Sequence, residues 1–321
     1  MIPPMRSMPP NEPRRPVRPS LLAPCLLAAH LLILGACAAT TDDGDAAMLT
    51  AAYSEELCPS CAEWNAPQEP FLIHGNSYYV GTRGLAAILI TTPEGHVLID
   101  GGLPNTAPLI QQNISTLGFD IADVRLILNS HAHFDHSGGI AALQFASGAR
   151  VLASPVSAAD IRRGNSTEGD PQFGQLLSFP PVAAVEEFAD GDTIRLGPLE
   201  LVARITPVHT PGGTTWSWVS CDANGCVDVV YADSQSVLSA EGFRFSDSPL
   251  LSDFERGFAV LEAIRCNILV TPHPGASSFW QRHESGEGFV DPAACARYGQ
   301  LARERLADRL AAEAGDQGAE R

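Results

Sequence analysis

Ser130-His131-Ala132-His133-Phe134-Asp135-His136 holds three imidazoles and one carboxylate within six positions. The segment follows an apolar run, residues 124–129, whose pattern predicts a buried strand. In an extended segment the side chains at i and i+2 lie on the same side, so His131 and His133 point the same way. The packing of a protein core does not require such a cluster. The cluster therefore predicts a metal site. Imidazole and carboxylate ligands without thiolate favour zinc, with iron or manganese as alternatives.

Two further histidines stand where a predicted strand meets a turn. His209 lies in Pro207-Val208-His209-Thr210-Pro211-Gly212-Gly213, and His273 lies in Thr271-Pro272-His273-Pro274-Gly275. Loops at strand ends are where functional side chains gather. Together with the first cluster, these histidines predict two three-ligand sites. Three protein ligands leave each ion an open position for water, which is typical of a catalytic rather than a structural metal.

The apolar periodicity predicts a mixed α/β chain in which helices cover central sheets. Strands are predicted over residues 71–80, 86–91, 96–100, 124–129, 150–153 and 267–270, with a β-meander over 182–231. Helices are predicted over residues 107–117, from residue 137, and over 156–163, 252–264 and 291–313. Residues 164–181 are predicted to form a loop, and residues 314–321 a disordered tail.

The charge balance excludes one large class of partners. The chain of 321 residues carries 37 acidic and 20 basic side chains, all of the latter arginine, for a net charge of −17. Such a charge repels polyphosphate, so nucleic acid is not expected as a partner. With 45% hydrophobic and 18% charged residues, the composition is that of a globular protein, not of a disordered or multispan membrane protein.

Residues 1–37 have the order of an export signal: arginines, then an apolar run over residues 21–34, then small residues. Leu34-Gly35-Ala36-Cys37 resembles a bacterial lipobox and predicts lipidation of Cys37, with ordinary cleavage nearby as the alternative. We therefore expect an exported, periplasmic protein, either tethered to a membrane as a lipoprotein or free. Residues 38–57 are predicted to be a small, acidic tether, and residues 58–313 a catalytic domain.

Six cysteines follow the signal, an even number that suits an oxidising compartment and allows three disulfides. Cys221 and Cys226 bracket an Asn-Gly turn signal, so a bridge between them would close a hairpin. Cys266 with Cys295 would tie a strand to the last helix. Cys58-Pro59-Ser60-Cys61 favours a structural use over a redox or zinc-binding pair, and the pairing of Cys58 and Cys61 stays open.

Taken together, the motifs resemble the metallo-β-lactamase superfamily and, in detail, the third subclass (B3) of the class B β-lactamases. The resemblance rests on the histidine cluster, on Tyr231-Ala232-Asp233-Ser234 and on the segment around His273-Pro274-Gly275-Ala276-Ser277. It implies a four-layer αβ/βα sandwich, in which two mixed β-sheets pack face to face with helices outside. It also implies hydrolysis of small-molecule β-lactams. We expect the enzyme to be a monomer.

The resemblance implies two zinc ions per chain, with a zinc-bound hydroxide as the nucleophile. The implied ligands of the first ion are His131, His133 and His209. Those of the second are Asp135, His136 and His273, and Asp135 thereby takes part in catalysis. Ser234 and Ser236 are implied as substrate contacts. Asp100, at a strand end, is predicted to hold a ligand imidazole or its loop by a hydrogen bond.

Two other functions stay open from the sequence. Thioesterases and lactonases of the same fold bridge their metals with an aspartate, and Asp233 follows His209 by 24 residues. Side chains alternate along a strand, so if Ser234 faces the metals, Asp233 turns away and the β-lactamase interpretation is favoured. A noncatalytic zinc-binding lipoprotein would need closed coordination, whereas three ligands per ion leave open positions.

Overall fold

The computed structural model describes residues 47–319. The predicted export signal, Cys37 and residues 38–46 lie outside the described residues. Within them, none of the helices combines the length and hydropathy that a membrane span requires.

The first sheet contains seven strands that pair in chain order. They are β1 (Phe71–His74), β2 (Ser77–Tyr79), β3 (Ile88–Thr92), β4 (Gly95–Ile99), β5 (Val124–Leu128), β6 (Arg150–Ala153) and β7 (Val185–Glu187). The first four strands pair antiparallel and the last four parallel. Strands β4 to β6 are almost continuously apolar, as expected for parallel strands that are buried on both faces.

The second sheet contains five strands in the order β12-β11-β10-β9-β8. They are β8 (Thr193–Leu196), β9 (Leu199–Ile205), β10 (Thr214–Asp222), β11 (Gly225–Tyr231) and β12 (Ile268–Val270). All neighbours are antiparallel except β11 and β12. The β9, β11 and β12 strands therefore end on the same side of this sheet.

Helices flank both sheets. They are α1 (Cys61–Trp64), α2 (Ala107–Thr116), α3 (Phe134–Ser137), α4 (Ile140–Ser147), α5 (Pro155–Arg163), α6 (Leu251–Ala263), α7 (Phe279–Ser285) and α8 (Ala294–Ala319). Single 3-10 turns cover Pro104–Thr106, Ile121–Asp123, Phe245–Asp247 and Pro274–Ser277.

The apolar residues divide into layers that confirm the predicted sandwich. One cluster lies between the sheets and includes Tyr79 and Ile99 of the first sheet and Trp216 and Tyr231 of the second. A second cluster packs α2, α4 and α5 against the outer face of the first sheet. Helices α6 and α8 contribute to two further clusters on the side of the second sheet. Two mixed sheets thus lie face to face with helices outside.

The structure differs from the sequence expectation in several elements. Residues 71–80 form two strands, because Gly75 adopts a φ of 54° and reverses the chain. Helix α7 was not predicted. The last helix continues to Ala319, six residues beyond its predicted end at residue 313. Glu313 holds this helix in place: it is buried and accepts hydrogen bonds from the backbone N–H groups of Phe245 and Ser246.

The predicted tether is also too long. Leu49 packs against the helix layer of the first sheet, and Tyr53 packs in a small cluster with Cys58, Cys61 and Phe134. Residues 38–57 are mostly small or acidic, so their composition gave no indication that Leu49 and Tyr53 pack on the domain. From residue 47 onward this segment therefore lies on the domain.

Three cysteine pairs lie at bonding distance. The sulfur atoms are 1.97 Å apart in Cys58 and Cys61, 2.05 Å in Cys221 and Cys226, and 2.03 Å in Cys266 and Cys295. The second pair lies at the turn of the β10–β11 hairpin. In the third pair, Cys266 lies just before β12 and Cys295 lies in α8.

Candidate metal centre

All six predicted ligands lie in segments that follow strands, and two of them, Asp135 and His136, belong to the short helix α3. His131 to His136 come after β5, His209 after β9 and His273 after β12. The peptide around them is held from several sides: Asn129 donates its amide to the carbonyl of His131 (2.8 Å), and Trp216 donates its indole N–H to the carbonyl of Asn129 (3.0 Å). A buried hydrogen-bond network of this kind fixes the orientation of the side chains it carries.

The structure brings the six residues together in two groups of three. His131, His133 and His209 form one group, and Asp135, His136 and His273 form the other. In each group, one potential ligand atom per residue lies within 4.8 Å of the others. The three histidines of the first group are buried. The composition of each group, three nitrogens or two nitrogens and a carboxylate oxygen, suits a metal that accepts both.

In the first group, one nitrogen of each ring is already bonded to the protein. Nδ1 of His131 lies 2.7 Å from Asp233 Oδ1, and Nε2 of His133 lies 2.7 Å from Asp170 Oδ2. Nδ1 of His209 lies 3.0 Å from the carbonyl of Ser236. If these atoms carry the ring protons, then Nε2 of His131, Nδ1 of His133 and Nε2 of His209 are left as ligands. Nε2 of His131 is indeed buried without a hydrogen-bond partner, as a metal-facing nitrogen would be.

The second group is organised around one carboxylate oxygen. Oδ2 of Asp135 lies 3.1 Å from Nε2 of His136 and 3.1 Å from Nε2 of His273. Nδ1 of His273 lies 3.2 Å from the carbonyl of Gly84, and the ring of Trp64 packs edge-on against it at 5.2 Å. These contacts fix the ring of His273 although a third of its side chain is exposed.

The ionisation states of His131, His209 and Asp135 suit a cation. Burial lowers the pKa of His131 far below its usual value, and the neighbouring histidines lower it further. Burial and His133 lower the pKa of His209 to about 3. Both rings are therefore neutral at pH 7, with a free lone pair. Burial would raise the pKa of Asp135, but His136 and His273 outweigh it and lower that pKa well below its usual value. An ionised carboxylate and neutral imidazoles are the states that metal binding requires.

Asp100 contacts the ligand loop and not an imidazole. It accepts hydrogen bonds from the backbone N–H of Ser130 (2.7 Å), the hydroxyl of Ser130 (2.6 Å) and the hydroxyl of Tyr231 (2.7 Å). Its own backbone lies in the left-handed region at φ 62°, which is unfavourable for a residue with a Cβ. Several strong hydrogen bonds hold this conformation, which is common for strained residues beside functional sites.

A cavity of about 350 Å³ opens beside both ligand groups. Ser234 and Ser236 line it, together with Trp64, Gln172 and Leu238. A larger groove of about 800 Å³ lies between the second sheet and α6, but none of the six ligands borders it. Polar groups that converge on a cavity are a better guide to chemistry than its size, so we place the site in the smaller cavity.

Asp233 lies outside both ligand groups. It is completely buried, and burial raises the pKa of its carboxyl group. Asp233 contacts Gly213 as well as His131. A side chain at position 213 would collide with the carboxylate of Asp233. The sequence left open whether this aspartate contacts metal. In the structure its carboxylate is hydrogen-bonded to Nδ1 of His131 and orients that ring.

Sequence reasoning missed two residues beside the site. Asp170 is buried and bonded to His133, yet residues 164–181 were predicted to be only a loop. An acidic residue before proline in a loop carries no signal of this contact. Tyr53 contacts the ring of Phe134 at 5.5 Å and donates its hydroxyl to the carbonyl of Ser178 at 2.8 Å. It was assigned to the tether.

Comparisons with known proteins agree with this geometry. Residues 80–231 match the model of a family described as the metallo-beta-lactamase superfamily. The solved structure of the Rm3 metallo-beta-lactamase is 49% identical to this chain and covers 80% of it. The chain covers 98% of that protein, with a TM-score of 0.78. The chain belongs to the metallo-β-lactamase superfamily.

Another superfamily member points to the same branch. A subclass B3 metallo-beta-lactamase isolated from a soil metagenome library is 47% identical, with a TM-score of 0.77. The match covers 79% of this chain and 99% of that one. These neighbours confirm the family resemblance that the motifs predicted.

A curated superfamily relative is more distant. Hydroxyacylglutathione hydrolase from Jannaschia sp. (strain CCS1) is 31% identical over 163 residues, which are 51% of this chain. The match spans about half of that relative, 52% of its length.

Proposed function

We propose that this protein is a subclass B3 metallo-β-lactamase that hydrolyses the amide bond of β-lactam antibiotics with two zinc ions. The observation that carries the proposal is the 49% identity with a metallo-beta-lactamase across 98% of that protein's length. The site geometry supports it, because two ligand groups flank a cavity of about 350 Å³ that can admit a small bicyclic substrate.

The metal ligands follow from the two groups. We assign the first zinc to His131, His133 and His209, and the second to Asp135, His136 and His273. When bound, two zinc ions supply a hydroxide at neutral pH, polarise the lactam carbonyl and stabilise the departing nitrogen.

Neighbouring residues of the chain hold the proposed metal ligands in fixed orientations. Asp233 and Asp170 hold the rings of His131 and His133, so that each presents a single nitrogen to the ion. Asp100 fixes the loop that begins at Ser130. Ser234 and Ser236, on the cavity wall, are assigned to substrate. Pre-organised ligands reduce the reorganisation needed during the reaction.

Hydrolysis by the zinc-loaded protein tests the proposal directly. We expect it to open a carbapenem or a cephalosporin in a chelator-sensitive reaction, and to bind two zinc ions per chain by elemental analysis. A homoserine lactone and a glutathione thioester belong in the same assay. Turnover of either of these, with no lactam opening, would refute the proposal.

A second candidate is a thioesterase of the same fold. The match to hydroxyacylglutathione hydrolase favours it. The separation of Asp233 from both ligand groups argues against it, because this candidate requires that aspartate to bridge the metals.

We further propose that the protein is an exported monomer, lipidated at Cys37, with three disulfides. The arginine-apolar-small order of residues 1–37 and the three cysteine pairs support export. Cell fractionation of the wild type and of Cys37→Ala would test the anchor, because loss of lipidation should move the protein from the membrane to the soluble periplasmic fraction. Light scattering would test the monomer.

A further inference from the structure

Tyr298 lies on the wall of the catalytic cavity but has no role in the assignments above. It comes from α8, which is remote from the metal ligands in the sequence, and only 4% of it is exposed. Its ring packs with Val230, Ala232 and Leu269, at the ends of the strands that lead into the site. Its hydroxyl accepts a hydrogen bond from the backbone N–H of Gln235 at 3.2 Å.

This hydrogen bond uses the oxygen of Tyr298 and leaves its proton without a partner. Among the residues whose side chains are described, the bond from Gln235 is the only one that the structure gives to this hydroxyl. A tyrosine hydroxyl can donate one hydrogen bond as well as accept. Burial, opposed by the bond from Gln235, raises the pKa of Tyr298 above its usual value, so the proton is present at neutral pH.

The hydroxyls of Ser234 and Ser236 form a hydrogen-bonded chain with His209. If His209 binds metal through Nε2, its Nδ1 carries the ring proton, which is shared between the carbonyl of Ser236 at 3.0 Å and the hydroxyl of Ser236 at 2.8 Å. The Ser236 hydroxyl can then donate to that of Ser234 at 3.0 Å. The hydrogen-bond chain ends at Ser234, whose own proton is free to point into the cavity.

Two free O–H donors therefore flank one peptide unit. The N–H of Gln235, which donates a hydrogen bond to Tyr298, belongs to the same peptide bond as the carbonyl of Ser234. Tyr298 and Ser234 line the same cavity, and no arginine is among the residues that line it. An anionic group of the substrate that enters this part of the cavity must be satisfied by neutral donors or by the metals. Hydrogen bonds from hydroxyls to a carboxylate are among the stronger ones in proteins.

We infer that Tyr298 is a substrate-binding residue that donates its hydroxyl proton, next to Ser234, to the carboxylate of the substrate. The inference rests on the proposed function. It assigns to α8 a direct part in recognition, in addition to its packing against the second sheet. Because the carboxylate takes no part in the bond that breaks, the contact contributes to binding and not to the chemical step.

The test compares Tyr298→Phe with the wild type on two substrates, a cephalosporin with a free carboxylate and its methyl ester. The full-length, zinc-loaded protein is used, and Tyr78→Phe, on strand β2 away from the cavity, is the matched control. We expect Tyr298→Phe to raise KM for the acid roughly tenfold, the effect of one hydrogen bond to a charged group. The ester kinetics, kcat for the acid and the zinc content should stay within twofold of the wild type.

The alternatives give distinct results. A purely structural Tyr298 would shift Gln235 and Ser236, so Tyr298→Phe would impair acid and ester equally or lower the zinc content, and that would overturn the inference. Unchanged kinetics on both substrates would overturn it too. If Tyr298→Phe does not fold, a crystal structure of the zinc-loaded wild type with the hydrolysed cephalosporin decides, because a carboxylate beyond hydrogen-bonding distance of the Tyr298 hydroxyl would overturn the inference. A wild type that binds zinc but opens no lactam refutes the proposed function itself.

Discussion

Nε2 of His133 lies 2.7 Å from Oδ2 of Asp170, and both side chains are buried. The two residues are 37 positions apart and come from different loops. The contact places the ring proton on Nε2 and leaves Nδ1 for a metal. A loop with no recognisable motif thus controls the orientation of a proposed ligand.

Substitution of Asp170 by asparagine should weaken metal binding. The amide keeps the size of the side chain but removes the charge that polarises His133, and we expect roughly a 10- to 100-fold loss of zinc affinity. Competition with a chromophoric chelator measures it. Glu168→Gln, an exposed position on the same loop, is the control. Equal affinities in the two variants would contradict a positioning role for Asp170.

The Asp233→Asn variant distinguishes two roles for Asp233, which could either orient a metal ligand or bridge two metal ions. We expect the variant still to bind two zinc ions at saturation, with a lower affinity, because His131 keeps its ligand nitrogen. Elemental analysis and chelator competition give the two quantities. Asp228→Asn, on the same region of chain but paired with Arg265, is the control. A stoichiometry of one zinc at saturation would instead indicate a bridging aspartate.

Tyr53→Ala should loosen the loop that carries Asp170. The substitution removes both the ring contact with Phe134 and the hydrogen bond to Ser178. We expect residues 164–181 to become more sensitive to limited proteolysis, and turnover to fall several-fold. Met48→Ala, whose side chain is largely exposed, provides the comparison. Identical cleavage patterns in both variants would show that the segment from residue 47 does not stabilise the loop.

Glu313 should make stability depend on acid pH. Burial would raise its pKa, but hydrogen bonds from Ser246, Phe245 and Arg309 outweigh it and lower the pKa to about 2, from 4.5. Its contribution is complete above pH 4.5 and is lost as the pH falls towards 2. At pH 7, Glu313→Gln should lower the free energy of unfolding by about 2 kcal/mol.

Urea unfolding of the metal-free protein at several pH values checks this. The difference between Glu313→Gln and the wild type should shrink below pH 4.5. Glu304→Gln, exposed on the same helix, should show no such dependence. A constant difference from pH 7 to pH 3 would be inconsistent with a lowered pKa of Glu313.

The proposed disulfides should contribute unequally. In the chain-entropy view, a bridge that spans 29 positions, Cys266 to Cys295, stabilises by about 3.6 kcal/mol, and one that spans five, Cys221 to Cys226, by about 2 kcal/mol. Urea unfolding of the two double serine variants measures the difference. The larger loss should follow Cys266→Ser/Cys295→Ser, and a reversed order would argue against the chain-entropy account of these bridges.

The sequence by itself predicted a mixed α/β chain and the histidines and aspartate of the proposed metal centre, and its resemblance to a known family implied the sandwich. The apolar run of β5 and the His131 to His136 spacing are local patterns, and they place potential ligands after a strand end whatever surrounds it. His209 and His273 were found because each follows an apolar run. Strand ends and turns can be recognised from neighbouring residues alone.

Only the tertiary structure decided which residues support those ligands. Asp233 lies 102 positions from His131, Tyr298 lies 63 from Gln235, and Tyr53 lies 125 from Ser178. None of these pairs shares a strand or helix period, so no local pattern connects them. Which ring nitrogen is free, and which hydroxyl proton faces the cavity, depends on hydrogen bonds between segments that meet only when the two sheets and α8 have packed.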